Sequence, residues 1–304
     1  MHALPRTLLT AALAVSILVP AAHGQALRER LRERALQSRG QATTLPAPAG
    51  MQVQRDLAYG PDARQRFDIY LPAQPRNAPV LVMVHGGAWR FGDKANPAVA
   101  GNKLAYWVPK GFIVVSANNR LLPEAKPLDQ ARDVAALLAR VQALAPSWGG
   151  DPHALVLMGH SAGAYLVALL DAQPSLLKAA GATAPRGVVS LDSAAMDVPQ
   201  LMRSGAPLPR LYEQAFGKDP AYWTATSPFH QLQAGAPPML IVCSTRRADS
   251  CPQGRALAAK AQGLGVRMEV LPEDLAHGEI NQQLGLPSAY TDAVAKFIDG
   301  VLGR

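Results

Sequence analysis

Residues 154–170 read Ala154-Leu155-Val156-Leu157-Met158-Gly159-His160-Ser161-Ala162-Gly163-Ala164-Tyr165-Leu166-Val167-Ala168-Leu169-Leu170, and this stretch decides the fold. Its first five residues are apolar and short enough for a buried strand, whereas the run from Ala162 is apolar without interruption and long enough for a buried helix. The two meet at Gly159-His160-Ser161-Ala162-Gly163. A strand that turns straight into a helix strains the middle residue, and side chains at the flanking positions would collide, so the outer residues have to be small. Ser161 is thereby held at the tip of the turn. The start of the helix behind it aims backbone N–H groups and a positive dipole end at any anion that forms on an attacked carbonyl.

Upstream, 53–59 and Arg66-Phe67-Asp68-Ile69-Tyr70-Leu71 are separated by Gly60-Pro61-Asp62 and read as an antiparallel edge pair. Pro79-Val80-Leu81-Val82-Met83-Val84 is a continuous apolar run, as a parallel strand covered by helices on both faces requires. It ends in His85-Gly86-Gly87-Ala88-Trp89. Two consecutive glycines let the backbone turn its N–H groups into a site. The amides of Gly87 and Ala88, with that of Ala162, are the candidate oxyanion hole for an acyl-transfer transition state.

The pattern then predicts a helix over 98–109, a strand over 112–117, a loop over 118–127 and a helix over 128–144. After Ser161 it predicts strands over 186–191, 238–243 and 266–271, and helices over 253–264 and 288–302. Between 192 and 236 it loosens into short Pro-rich pieces, read as a cap-like insertion that shapes access to the site. Strand and helix in alternation from Met51 onward specify an α/β fold, a mostly parallel sheet wrapped on both faces.

The ends of the 304-residue chain read differently. Residues 1–24 have a basic start at Arg6, an apolar stretch and small residues Ala22 and Gly24 before Gln25, the pattern of a secretory signal peptide. Export, periplasmic or secreted, is the expectation, with no stable membrane insertion after cleavage. Residues 25–50 carry Arg28, Arg30, Arg32, Arg34 and Arg39 and read as a mobile arm and linker, leaving 51–304 as the catalytic domain. Part of the formal net charge of +8 therefore lies outside the domain. With no aromatic-interleaved basic stripe, the composition argues for solvated basic surface and against a nucleic-acid partner. Cys243 and Cys251 are the two cysteines. Their spacing leaves a clipped loop and two separate thiols equally open, and no Cys/His cluster has zinc-ligand spacing.

A serine hydroxyl needs a base near neutral pH, and histidine suits the task. His2 and His23 leave with the leader, His85 belongs to the Gly-Gly turn, His153 lies at the wrong end of its strand, and His160 sits inside the elbow. Of the remaining two, His277 follows the last strand, where a loop at the carboxyl edge of the sheet reaches Ser161, while His230 lies in the insertion. The carboxylate that fixes the imidazole's tautomer is sought upstream of His277. Asp249, in Thr245-Arg246-Arg247-Ala248-Asp249-Ser250-Cys251, is the first choice, and Asp192 and Asp197 after the preceding strand are its rivals. Trp89, Tyr165, Trp223 and Phe229 are the candidate pocket-lining aromatics.

The order Ser161, Asp249, His277 with His85-Gly86-Gly87 upstream resembles the α/β-hydrolase family of serine esterases. It is most similar to the branches with an H-G-G-x-W oxyanion segment: carboxylesterases, feruloyl and acetylxylan esterases, hormone-sensitive-lipase-like enzymes and kynurenine formamidases. Asn119-Arg120-Leu121-Leu122-Pro123-Glu124 resembles the family's Y-R-L-x-P-E, and Thr226-Ser227-Pro228-Phe229 its S-P after the cap. Three positions depart from that pattern: Ala88 for a third glycine, His160 for the acidic residue of G-D-S-A-G, and Arg246 and Arg247 where small residues are usual. The resemblance implies a hydrolase for carboxylic esters of small to medium acyl or aryl groups, working through an acyl-enzyme with no metal or organic cofactor. Cleavage of an arylformamide and a non-catalytic binding module on the same fold are the alternatives.

Overall fold

The computed structural model describes residues 50–204 and 210–304, so the leader at 1–24 and, Gly50 apart, the arm at 25–50 lie outside the described residues. Strands β1 (Gln52–Ala58), β2 (Arg66–Leu71), β3 (Ala78–Val84), β4 (Ile113–Ala117), β5 (Gly150–His160), β6 (Gly187–Leu191), β7 (Met239–Ser244) and β8 (Met268–Glu273) form one sheet. Its order is β1-β2-β4-β3-β5-β6-β7-β8. β3 and β5 take the middle because their paired stretches, 80–84 and 155–159, are apolar and buried, and Val82 lies opposite Val115 of β4 and Leu157 of β5. β1 and β2 pair antiparallel, β2 pairs antiparallel with β4, and every neighbouring pair from β4 to β8 is parallel.

The side-chain alternation of the strands divides the core into two layers. Val80, Val82 and Val84 of β3 enter the layer beneath α2 (Pro127–Leu144) and α3 (Ala162–Ala172). Leu81 and Met83 enter the opposite layer, beneath α1 (Pro97–Trp107) and α11 (Ala289–Leu302). Every residue of α3 is buried. That burial includes Asp171, whose two carboxylate oxygens have no partner among the described residues and whose pKa burial pushes well above the usual carboxylate range.

α4 (Pro174–Ala179) follows α3. Between β6 and β7 come four short helices, α5 (Val198–Arg203), α6 (Arg210–Phe216), α7 (Pro220–Ala225) and α8 (Pro228–Gln231). Proline in the first turn and an aspartate cap explain where two of them start: Asp197 accepts from the Gln200 amide and Asp219 from that of Ala221. After β7 and α9 (Ser250–Gly263), β8 leads into α10 (His277–Gln283). The loop expected around His277 is therefore a helix start, secured by Glu279, whose side chain accepts from the Ala276 amide at 2.7 Å.

Candidate active site

Ser161 sits at φ 56° and ψ −117°, a conformation that a side-chain-bearing residue adopts only under constraint. The constraint comes from both sides. Its amide donates to the Leu191 carbonyl at 2.9 Å, and its own carbonyl accepts from the Tyr165 amide at 3.1 Å. The glycines are steric necessities: a Cβ on Gly159 would lie 2.3 Å from the Gly163 carbonyl oxygen, and one on Gly163 would lie 2.4 Å from that of Val84. These contacts press α3 against the ends of β3 and β5, which leaves the serine side chain at the crest of the turn.

The imidazole of His277 meets it there, Nε2 2.9 Å from Ser161 Oγ. On the far side of the ring, Nδ1 lies 2.5 Å from Asp192 Oδ2. Asp192 follows the last residue of β6, the strand beside β5, so its Cα is at the same sheet edge as the elbow. It is fully buried, with φ 58°. Its Oδ1 accepts from the Ser244 amide at 2.8 Å and from Ser250 Oγ at 2.5 Å, and its Oδ2 from Arg247 Nη1 at 3.0 Å. Burial by itself would raise the carboxyl's pKa, but His277, Arg247 and Ser250 outweigh it and hold the group well below the usual carboxylate range.

The acid partner is thus Asp192 rather than Asp249, a correction to the sequence-based choice. Asp249 precedes α9, one strand farther from the nucleophile, and its side chain is 47% exposed where that of Asp192 is 0%. Both of its oxygens face Arg247, at 3.1 Å from Nε and 3.2 Å from Nη2. Asp197 is engaged at the start of α5 and lies 3.6 Å from His230, whose Nδ1 is also 3.0 Å from Ser227 Oγ. The rival base and the second rival acid therefore face each other in the segment between β6 and β7 instead of joining Ser161.

His160 packs its ring against His277, the centroids 4.6 Å apart, and its Nε2–H donates to the His277 carbonyl at 2.9 Å. Burial, with the neighbouring imidazole, keeps its pKa well below the ordinary histidine range, so the ring is a neutral support. The loop after β3 reaches the same place: a Cβ on Gly86 would lie 2.8 Å from the His160 carbonyl oxygen and from Ser161 Cβ. Gly87, Ala88 and Trp89 all have positive φ. The amides of Gly87, Ala88 and Ala162 donate to no acceptor among the described residues, which leaves them available to an oxyanion. His85 beneath them is held neutral, its pKa lowered by burial to about 4.

Of the four aromatics expected to line a pocket, Trp89 and Tyr165 stack edge-on at 5.4 Å, and Trp89 also meets Phe216 of α6 at 5.1 Å. Trp89, Tyr165 and Phe216 are all buried, and a narrow crevice beside Trp89 is lined also by Gly86, Ala162 and Leu166. Trp223 and Phe229 make their contacts elsewhere. The Trp223 indole donates to the Phe216 and Gly217 carbonyls, and Phe229 packs on His230 and the Lys260 ammonium. Cys243 and Cys251 are joined, with Cα atoms 5.1 Å apart. The bridge closes the segment that supplies Ser244, Arg247 and Ser250 to Asp192. Sequence reasoning missed these three donors; the one available signal was that the cysteines bracket them.

A family model described as BD-FAE matches residues 67–251. A probable isoprenylcysteine alpha-carbonyl methylesterase of Oryza sativa subsp. japonica is 38% identical over 118 residues, which is 38% of this chain and 28% of that protein. Esterase LipQ of Mycobacterium tuberculosis is 31% identical over 206 residues, 62% of this chain and 47% of that protein. The chain thus spans about a quarter to a half of the length of these curated relatives. Among solved structures, a truncated carbohydrate esterase from gut microbiota superposes with a TM-score of 0.72 at 19% identity, covering 86% of this chain and all of that one. Esterase B from Lactobacillus rhamnosis gives 0.68 at 19% identity, covering 92% and 94%. These last two likenesses establish the α/β-hydrolase fold.

Proposed function

We propose that this chain, which belongs to the BD-FAE family, hydrolyses carboxylic esters of small to medium acyl or aryl groups through a covalent acyl-enzyme. One observation carries the proposal: Ser161 Oγ, the His277 ring and the Asp192 carboxylate stand in one hydrogen-bonded line, with contacts of 2.9 and 2.5 Å. The Nδ1–H of His277 donates to Asp192, which leaves Nε2 free to take the Ser161 proton as the oxygen attacks the ester carbonyl. Charge that develops on the carbonyl oxygen falls toward the amides of Gly87, Ala88 and Ala162. The imidazolium then protonates the departing alkoxide, and a water activated by the same nitrogen releases the acid. Trp89, Tyr165 and Phe216 form a buried aromatic cluster behind the elbow. The names of the relatives, methylesterase and esterase, agree with this chemistry.

Turnover of p-nitrophenyl acetate and butyrate by the purified protein, with Ser161→Ala as control, tests the assignment. The variant should lose turnover and labelling by a fluorophosphonate while melting as the parent does; turnover that survives in the variant rejects Ser161 as nucleophile. We also propose that the protein is exported with removal of residues 1–24. The leader pattern supports this, as does a disulfide beside the site, which persists in an oxidising compartment. A mature N-terminus at Gln25 is the expected finding.

A further inference from the structure

Arg247 has no part in the proton relay, yet its guanidinium occupies the centre of the acid's surroundings. Nη1 donates to Asp192 Oδ2 at 3.0 Å, the same oxygen that takes His277 Nδ1–H, and lies 3.0 Å from Nδ1 itself. The guanidinium and the imidazole N–H therefore divide one carboxylate oxygen. What Asp192 gives to the guanidinium it withholds from the imidazolium that forms when Ser161 attacks. Nε and Nη2 turn the other way and are held bidentate by Asp249. Tyr212 of α6 also hydrogen-bonds Arg247.

The remaining charged and titratable groups around His277 are few. His160 stacks on it from the end of β5, and Lys103 of α1 donates to the Asn281 carbonyl in the last turn of α10. Glu279, on His277's own helix, is occupied by the Ala276 amide and Arg246. Arg247 alone among them contacts both the acid and the base.

We propose that the Arg247–Asp249 pair is a positioning device that sets how strongly Asp192 supports the imidazolium of His277, with the guanidinium weakening that support and Asp249 moderating the guanidinium. The proposal rests on the Ser161–His277–Asp192 assignment above. It gives the two members of one salt bridge opposite effects. Without the guanidinium, the whole charge of Asp192 acts on the imidazolium, which then persists to higher pH. Without the Asp249 carboxylate, the guanidinium competes more effectively and the imidazolium yields its proton at lower pH.

The test is the pH dependence of kcat/KM for p-nitrophenyl butyrate in the parent, Arg247→Gln, Arg247→Lys and Asp249→Asn, each verified as folded by its thermal melt. The acid limb should move to higher pH in R247Q, by about half a pH unit or more, because a nearby charge has been removed. It should return toward the parent in R247K, which restores the charge, and move to lower pH in D249N. An R247Q limb that coincides with the parent's, shifts of the same sign in R247Q and D249N, or loss of turnover in D249N at every pH would each overturn the proposal. Should R247Q fail to fold, the sign of the D249N shift decides alone. If the parent lacks turnover that depends on Ser161, it is the catalytic assignment that fails, and the two failures stay distinct.

Discussion

Asp192→Asn is the substitution that the site geometry makes most informative. The amide is nearly isosteric with the carboxylate, so its oxygen can keep the Ser244 amide and the Ser250 hydroxyl, which meet Oδ1 at 2.8 and 2.5 Å. Its nitrogen then faces the two groups that met Oδ2, Arg247 Nη1 and His277 Nδ1, both of which donate in the parent. The imidazole relieves the conflict by changing tautomer: Nδ1 accepts from the new amide, and the ring proton moves to Nε2. That proton then points at Ser161 Oγ, 2.9 Å away, and the ring can no longer take the serine's own. The loss of base function and of the charge opposite the imidazolium should lower kcat about 10⁴-fold, equivalent to about 5.4 kcal/mol of barrier. KM should change little, because Asp192 is fully buried and sits behind the imidazole. The assay is steady-state hydrolysis of p-nitrophenyl butyrate, with Asp249→Asn beside it as the matched control. D192N retaining more than a tenth of parental kcat, with D249N inactive, would show that Asp249 is the acid and that the geometric argument is wrong.

Other outcomes follow from single features. Replacing Cys243 and Cys251 together by serine should lower unfolding free energy by about 2.5 kcal/mol, the loop-closure value for a bridge eight residues apart; chemical denaturation measures this, and an unchanged midpoint would remove the loop's role. Gly163→Ala should cost about 1–3 kcal/mol and depress turnover, since the new methyl meets the Val84 and His85 carbonyl oxygens at 2.4 and 2.5 Å; a variant as stable and active as the parent contradicts the packing of the elbow. Asp171→Asn tests the buried carboxyl. With its folded pKa raised, this carboxyl favours folding below the unfolded value near 4, and that contribution is lost as pH rises, by about 1.4 kcal/mol per unit until the folded group itself ionises. The variant's stability relative to the parent should therefore climb between pH 4.5 and 7 in urea titrations, and a constant difference would refute the buried neutral acid.

The sheet and the meeting of Ser161 with His277 were legible because each rests on local pattern. A strand, two glycines and an apolar helix admit few arrangements, and β2 even keeps the predicted bounds of Arg66–Leu71. The acid was not legible in the same way. Asp192 and Asp249 both follow strands that end at the same sheet edge, and chain order accepts either. What separates them is strand order in space, β6 beside β5 and β7 beyond, together with a disulfide that folds Ser244, Arg247 and Ser250 around one carboxylate. Neither fact is encoded in a window of residues. Trp223 and Phe229 lie in an irregular segment between β6 and β7, where an aromatic carries no period to show which way it faces.

The burial of α3 bears on how the protein fails. Ser161 is the step onto a helix with no solvent-facing residue, so the nucleophile has no local opening by which it could drift out of place while the domain stays folded. Heat inactivation and loss of near-ultraviolet circular dichroism should accordingly trace a single curve, and surviving turnover in a heated sample should count the intact molecules.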